Sequence, residues 1–176
     1  MANEEYIPLA VREFERLKSV ADRALSQLPA DRLFAIPSEG DNSVAVIMKH
    51  VAGNMCSRWR DFLASDGEKP DRKRDREFVV SPDDTRQALF ARWEEGWAAL
   101  FAALAPLRPP DLGRTVTIRG EPTTVLQAIN RQLTHYAYHV GQIVYLAKHF
   151  AGGRWKSLSI PLGESEQFNR APGRYL

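Results

Sequence analysis

The stretch that decides the fold is "VLQAINRQLTHYAYHVGQIVYLAKHF", residues 125–150. Its apolar residues recur at three- and four-residue spacings, the period of a helix with one buried face. Thr123 or Thr124 stands where an N-cap belongs, and Gly152-Gly153 supplies the stop. The same helix carries His135 and His139, four positions apart. Residues so spaced sit about 5–6 Å apart between Cβ atoms on one face. Imidazoles beside a core cost free energy unless their nitrogens find partners.

Outward from this segment the chain repeats the helical period. Residues 4–28 place Leu9, Phe14, Leu17, Ala21, Ala24 and Leu28 on one face, with charges between them. Pro29, Pro37 and Gly40 break the next stretch. Ser43 then reads as the N-cap of a helix over 44–65, whose apolar face is Val44, Ile47, Met48, Val51, Met55, Trp59 and Phe62. Residues 66–80 form a polar loop of a length that is uncommon in compact domains and often functional or mobile. Within it "KPDRKRDREF", 69–78, is basic but interrupted by acids, which predicts a solvated connector rather than a phosphate-binding patch. A third helix is expected over 81–105, with Ser81 as N-cap, Pro82 at its first position and Asp83 and Asp84 facing the dipole. Leu89, Phe90, Trp93, Trp97, Leu100, Phe101 and Leu104 make a stripe that suits a bundle core better than a cofactor cage.

Pro106, Pro109, Pro110 and Gly113 end that helix, and "TVTIRGEP", 115–122, alternates like a short strand or hairpin. The polar tail from Arg154 offers one helical turn near Glu164. The expectation is all-α: a four-helix bundle with long crossing loops and a β-hairpin-like segment near 115–120, as a single domain over 1–176.

The 24 Lys+Arg stand against 22 Asp+Glu, so no concentrated basic stripe argues for nucleic acid. No stretch has the roughly 20 apolar residues of a membrane span, and no N-terminal run is laid out as a signal peptide. The one cysteine, Cys56, suits a reducing compartment. A cytoplasmic protein is expected, with no nucleic-acid or membrane partner.

The histidine pair alone has two readings, a shared metal ion or two rings satisfied by carbonyls. H-x-x-x-H on a helix also serves zinc proteases, but Tyr136 stands where their general-base glutamate would be. A third histidine, His50 in "IMKHVAGN", lies at the edge of the apolar stripe of its helix. One divalent cation satisfies three imidazoles at once, and three protein ligands with an open position is a catalytic layout. His149 lies about 15 Å along the helix from His139, so it reads as a residue offsetting the helix dipole. Cys56 is turned away from His50 and reads as a buried filler. Asn54, Gln132 and Gln142 sit one turn from the histidines as donors to them or to a substrate, with plain packing as the ordinary alternative. Tyr136 and Tyr138 read as core packing, or as a hydroxyl contact. Arg58 and Arg131 are candidates to orient an anionic group; their ordinary reading is a solvated surface.

The segments "MKHVAGNMCSRWRDFLASDGEKPDRKRDREF", 48–78, and "LTHYAYHVGQIVYLAKHFAGGRWKSLSIPLGESEQFN", 133–169, resemble the DinB-like superfamily, also called YfiT-like metal-dependent hydrolases. The resemblance runs from about residue 5 to 169. It implies a four-helix bundle holding one divalent metal per chain, zinc or nickel, on three histidines that map onto His50, His135 and His139. It also implies a small-molecule substrate and thiol transfer, isomerisation or hydrolysis. Low-molecular-weight thiols such as bacillithiol or mycothiol serve some members, and homodimers are frequent. The alternative is a metal-binding, stress-associated dimerisation module without turnover.

Overall fold

The protein is described over residues 5–170 in a computed structural model. The expected helical start at Glu4 and the last residues of the tail lie outside that range. Four long helices form the body: α1 (Tyr6–Gln27), α2 (Val44–Trp59), α3 (Arg86–Leu104) and α4 (Val125–Ala151). Helix α2 packs on α3 and α4, and α1 packs on α4 and α3, which closes a four-helix bundle. A short helix α5 (Ser165–Arg170) lies in the tail, where a helical turn was expected. The fold is all-α with one small hairpin.

The core is ring-rich. Tyr136 of α4 is fully buried where all four helices meet. Its ring centroid is 5.9 Å from Phe14 of α1 and 6.1 Å from Trp97 of α3. Its hydroxyl accepts from Trp59 Nε1 of α2 and donates to Asn54 Oδ1, both at 3.0 Å. Gly96 lets α3 approach α2, since a Cβ there would meet Ala52 Cα at 3.2 Å.

One burial and two helix boundaries differ from the sequence expectation. Leu9 is 47% exposed, because Ile7 and Ala10 continue the stripe of Phe14 and Leu17. It stands five residues from Phe14, about 140° round the helix. Helix α2 stops at Trp59 rather than 65. Arg60 is extended and Asp61 takes φ 49°, yet Phe62 still folds back into the core. Helix α3 begins at Arg86 with Thr85 as its cap, not Ser81. The Asp84 carboxylate instead accepts from Ser81 N at 2.7 Å, Ser81 Oγ at 2.9 Å and Lys49 Nζ at 2.6 Å. A turn tied to α2 through the buried Asp84 therefore takes the place of the first helical turn.

The hairpin pairs β1 (Thr115–Ile118) antiparallel with β2 (Glu121–Thr124) through a two-residue turn, Arg119-Gly120. Both turn residues have positive φ, 57° and 78°, as a type I′ turn requires. Arginine is a poor choice there. The Asp66 carboxylate compensates by accepting the backbone N–H of Arg119 and of Gly120, each at 2.8 Å. The hairpin is thus pinned to the segment after α2. Thr124 closes β2 and caps α4 in a reciprocal box with Gln127. Among the described residues no helix is long and apolar enough to cross a membrane.

Candidate metal centre

His50 sits on α2, and His135 and His139 on α4, where the two helices pack together. One ring nitrogen from each lies within 4.8 Å of the others. His135 Nε2 and His139 Nε2 are 3.1 Å apart, and the His50 ring centroid is 5.5 Å and 4.9 Å from theirs. Two imidazoles on one metal at about 2.0–2.1 Å would hold their nitrogens about 2.9–3.4 Å apart. The donor set fits a divalent ion.

The outer nitrogens decide which face each ring offers. His50 Nδ1 donates to Glu77 Oε2 at 2.9 Å, and His139 Nδ1 donates to Gln142 Oε1 at 2.8 Å. Each partner fixes the tautomer that leaves Nε2 bare and turned inward. Burial, then the neighbouring His139 and His50 rings and the Arg58 and Arg72 cations, push His135 from the usual 6.5 down to about 3. Burial likewise lowers His139. Neutral imidazole is the form a metal needs.

Glu77 is the residue that sequence reading missed. It lies in the 69–78 run, expected to be solvated, yet its side chain is 8% exposed and that of Arg72 5%. Arg72 holds it in a two-pronged bridge, Nε to Oε1 and Nη2 to Oε2, both at 2.8 Å. Burial pushes the Glu77 carboxyl up, but Arg72 and His50 outweigh it and keep it ionised. Gly53 on α2 makes room, since a Cβ there would come within 2.9 Å of Glu77 Cδ. Phe78 then lays its ring 4.9 Å from that of His50. The segment is a cover over the site, not a free loop. The available signal was an acid inside a basic run, five residues from an arginine and 27 from His50.

The other predicted residues divide. Gln142 touches His139 directly. Asn54 and Gln132 are buried beside the site, Asn54 bonded to Tyr136. Tyr136 is core, and its hydroxyl is spent on Trp59 and Asn54. Tyr138 was expected in the core but is 64% exposed, since it lies two residues from Tyr136 on another face of α4. Arg58 was expected at the surface but is buried, under Gly67 and the hairpin residue Ile118. Arg131 is exposed on α4, one turn before His135. His149 and Cys56 take no part in the cluster. Cys56 is half-buried, and burial raises its thiol pKa.

Residues 1–164 match a family described as "Protein of unknown function (DUF1572)". The chain belongs to the DUF1572 family. No curated protein matches it. The match takes in all four bundle helices, the hairpin and every residue of the histidine cluster and its cover.

Proposed function

We propose that this protein is a metal-dependent enzyme acting on a small substrate, of the DinB-like kind its sequence resembles. His50, His135 and His139 would hold one divalent transition metal, zinc or nickel. The observation that carries the reading is the convergence of three ring nitrogens within 4.8 Å, two of them with their opposite nitrogens already bonded. A closed structural site would use a fourth protein ligand, and among the described residues the cluster has three. When bound, the ion would supply Lewis acidity, lowering the pKa of a water or thiol for hydrolysis, isomerisation or thiol transfer.

The chain's own residues account for the rest. Glu77, ionised and clamped by Arg72, orients the His50 ring and makes it a stronger donor. Gln142 does the same for His139 without adding charge. Phe78 and the covering segment exclude water from one side of His50. Low-molecular-weight thiols are the co-substrate class to try first, on the strength of the resemblance.

Protein purified without a metal-affinity tag should carry close to one transition metal per chain by elemental analysis. The change His135→Ala with His139→Ala should remove it while the circular dichroism spectrum stays helical, since an open site adds little to a core of this size. Metal content unchanged in that variant would end the reading. Turnover of electrophiles with a panel of cellular thiols, abolished by a chelator, separates an enzyme from a metal-binding module without turnover.

A further inference from the structure

We infer that an anion-binding subsite adjoins the histidine cluster, built by Arg58, Arg119 and Arg131 around Gln132, and that it takes the carboxylate or phosphate of a small molecule that also carries an N–H or O–H donor. That the ligand is a substrate rests on the enzymatic reading above. The subsite itself rests on the arginines.

A cavity of about 400 Å³ opens on the rings of His50 and His135. Five guanidinium groups line it, from Arg58, Arg72, Arg74, Arg119 and Arg131, and no carboxylate is among the lining residues. The acids nearby are already committed. Glu77 is taken by Arg72 and His50. Glu68 is shared among Arg58 at 3.5 Å, Arg72 at 3.2 Å and Arg119 at 3.3 Å, each contact longer than a well-made charged hydrogen bond. Arg131 has no carboxylate in ion-pair range among the described residues. The wall is therefore cationic in excess.

Two buried polar groups in the same wall lack partners. Arg58 is 3% exposed, and its Nε and Nη1 have no hydrogen-bond partner. Gln132 is 2% exposed, and its Oε1 accepts nothing. A buried cation paired only at 3.5 Å is unfavourable without a second counter-charge, and a buried carbonyl is unfavourable without a donor. An anion in the cavity that both residues line would supply the counter-charge Arg58 lacks, and a donor group on it is the kind of partner Gln132 lacks. Guanidinium suits carboxylate and phosphate alike, through paired N–H groups.

The placement explains otherwise odd local features. Arg119 holds a left-handed turn position at the hairpin tip, which Asp66 stabilises, and this brings its side chain to the rim. Arg131 lies one helical turn before His135, and the two line the same cavity, so a ligand held by Arg131 lies beside the histidine cluster. A chamber of this volume admits a small molecule rather than a polymer backbone.

The test is an amide-resonance NMR titration of the full chain with DL-lactate, propionate, lactamide and inorganic phosphate. Lactate or phosphate should shift resonances around Arg131 and Gln132, lactamide should not, and propionate should bind several-fold more weakly than lactate for want of a donor to Gln132. Preference between lactate and phosphate assigns the carboxylate or the phosphate source. Arg131→Glu, an exposed position where folding is not at stake, should weaken anion binding at least tenfold. Arg58→Gln should do the same if it folds, whereas Arg12→Gln on exposed α1 should not. In the His135→Ala, His139→Ala variant, anion binding should stay within a few-fold of wild type. Binding that ignores Arg131→Glu, that fails for both anions, or that disappears with the histidines alone overturns the subsite. The last result would place the anion on the metal and leave the metal reading standing.

Discussion

The two sides of helix α4 are packed by different chemistry. Towards α1 and α3 the buried residues are apolar, with Phe14 and Trp97 set against the Tyr136 ring among aliphatic neighbours such as Leu17 and Ala21. Towards α2 the buried residues include His50, Asn54, Arg58 and Gln132. Tyr136 joins the sides: its ring belongs to the first and its hydroxyl bonds into the second. Burying polar and charged groups costs free energy unless every one is paired. The aromatic side therefore carries stability, and the polar side is kept for what it can bind.

The sharpest way to break this comparison is to remove a ring from each side. Trp97→Ala should destabilise by about 3–5 kcal/mol through the cavity it leaves, read as a fall in denaturation midpoint. Replacing all three site histidines by alanine should cost far less in metal-free protein. If the histidine variant loses as much as Trp97→Ala, the division is wrong. Next in size, Glu77→Gln should weaken metal retention by about 10–100-fold in competition with a chelator, with His50 still in place. Equal retention would mean that Glu77 serves only to pair Arg72.

The smallest effect is a pH dependence confined to the polar side. His135 is held near 3 in the fold, against 6.5 when free, and His139 is also lowered. Below 6.5 the unfolded chain binds more protons on these rings than the folded one. Metal-free protein should thus be most stable above pH 6.5 and lose several degrees of melting temperature as the pH falls to 5. Glu77 and Asp84, whose pKa values lie below the usual carboxylate range, add their own loss only further down. The slope between 6.5 and 5 should flatten in the His135→Ala, His139→Ala variant. A slope that persists there would have to come from another group.

Much of the bundle was legible before any coordinates. The apolar period marks each helix, Ser43 caps α2, Thr124 of the two candidate threonines caps α4, and the alternating stretch at 115–122 falls in the hairpin. Errors came where a tertiary contact outbid a local signal. Ser81-Pro82 is a sound helix start, but Lys49 on α2 holds the buried Asp84 in a turn and α3 begins later. Leu9 is apolar yet lies off the stripe that Ile7 and Ala10 continue.

The histidines followed the same rule. Spacing alone puts His135 and His139 together, because four residues make one helical turn and the covalent chain enforces it. Nothing local says how far His50 stands from them, and only the packing of α2 on α4 brings it in. The charged segment after α2 lay further still beyond the sequence. A run such as "DRKRDREF" pays no solvation cost in water, so it reads as a solvated loop. Only in the folded chain do Arg72 and Glu77 neutralise each other at the edge of α2, where Gly53 leaves room for a carboxylate to reach His50. Helical periodicity is a property of neighbours along the chain, whereas charge pairing over a buried ring depends on residues that meet only once the helices have packed.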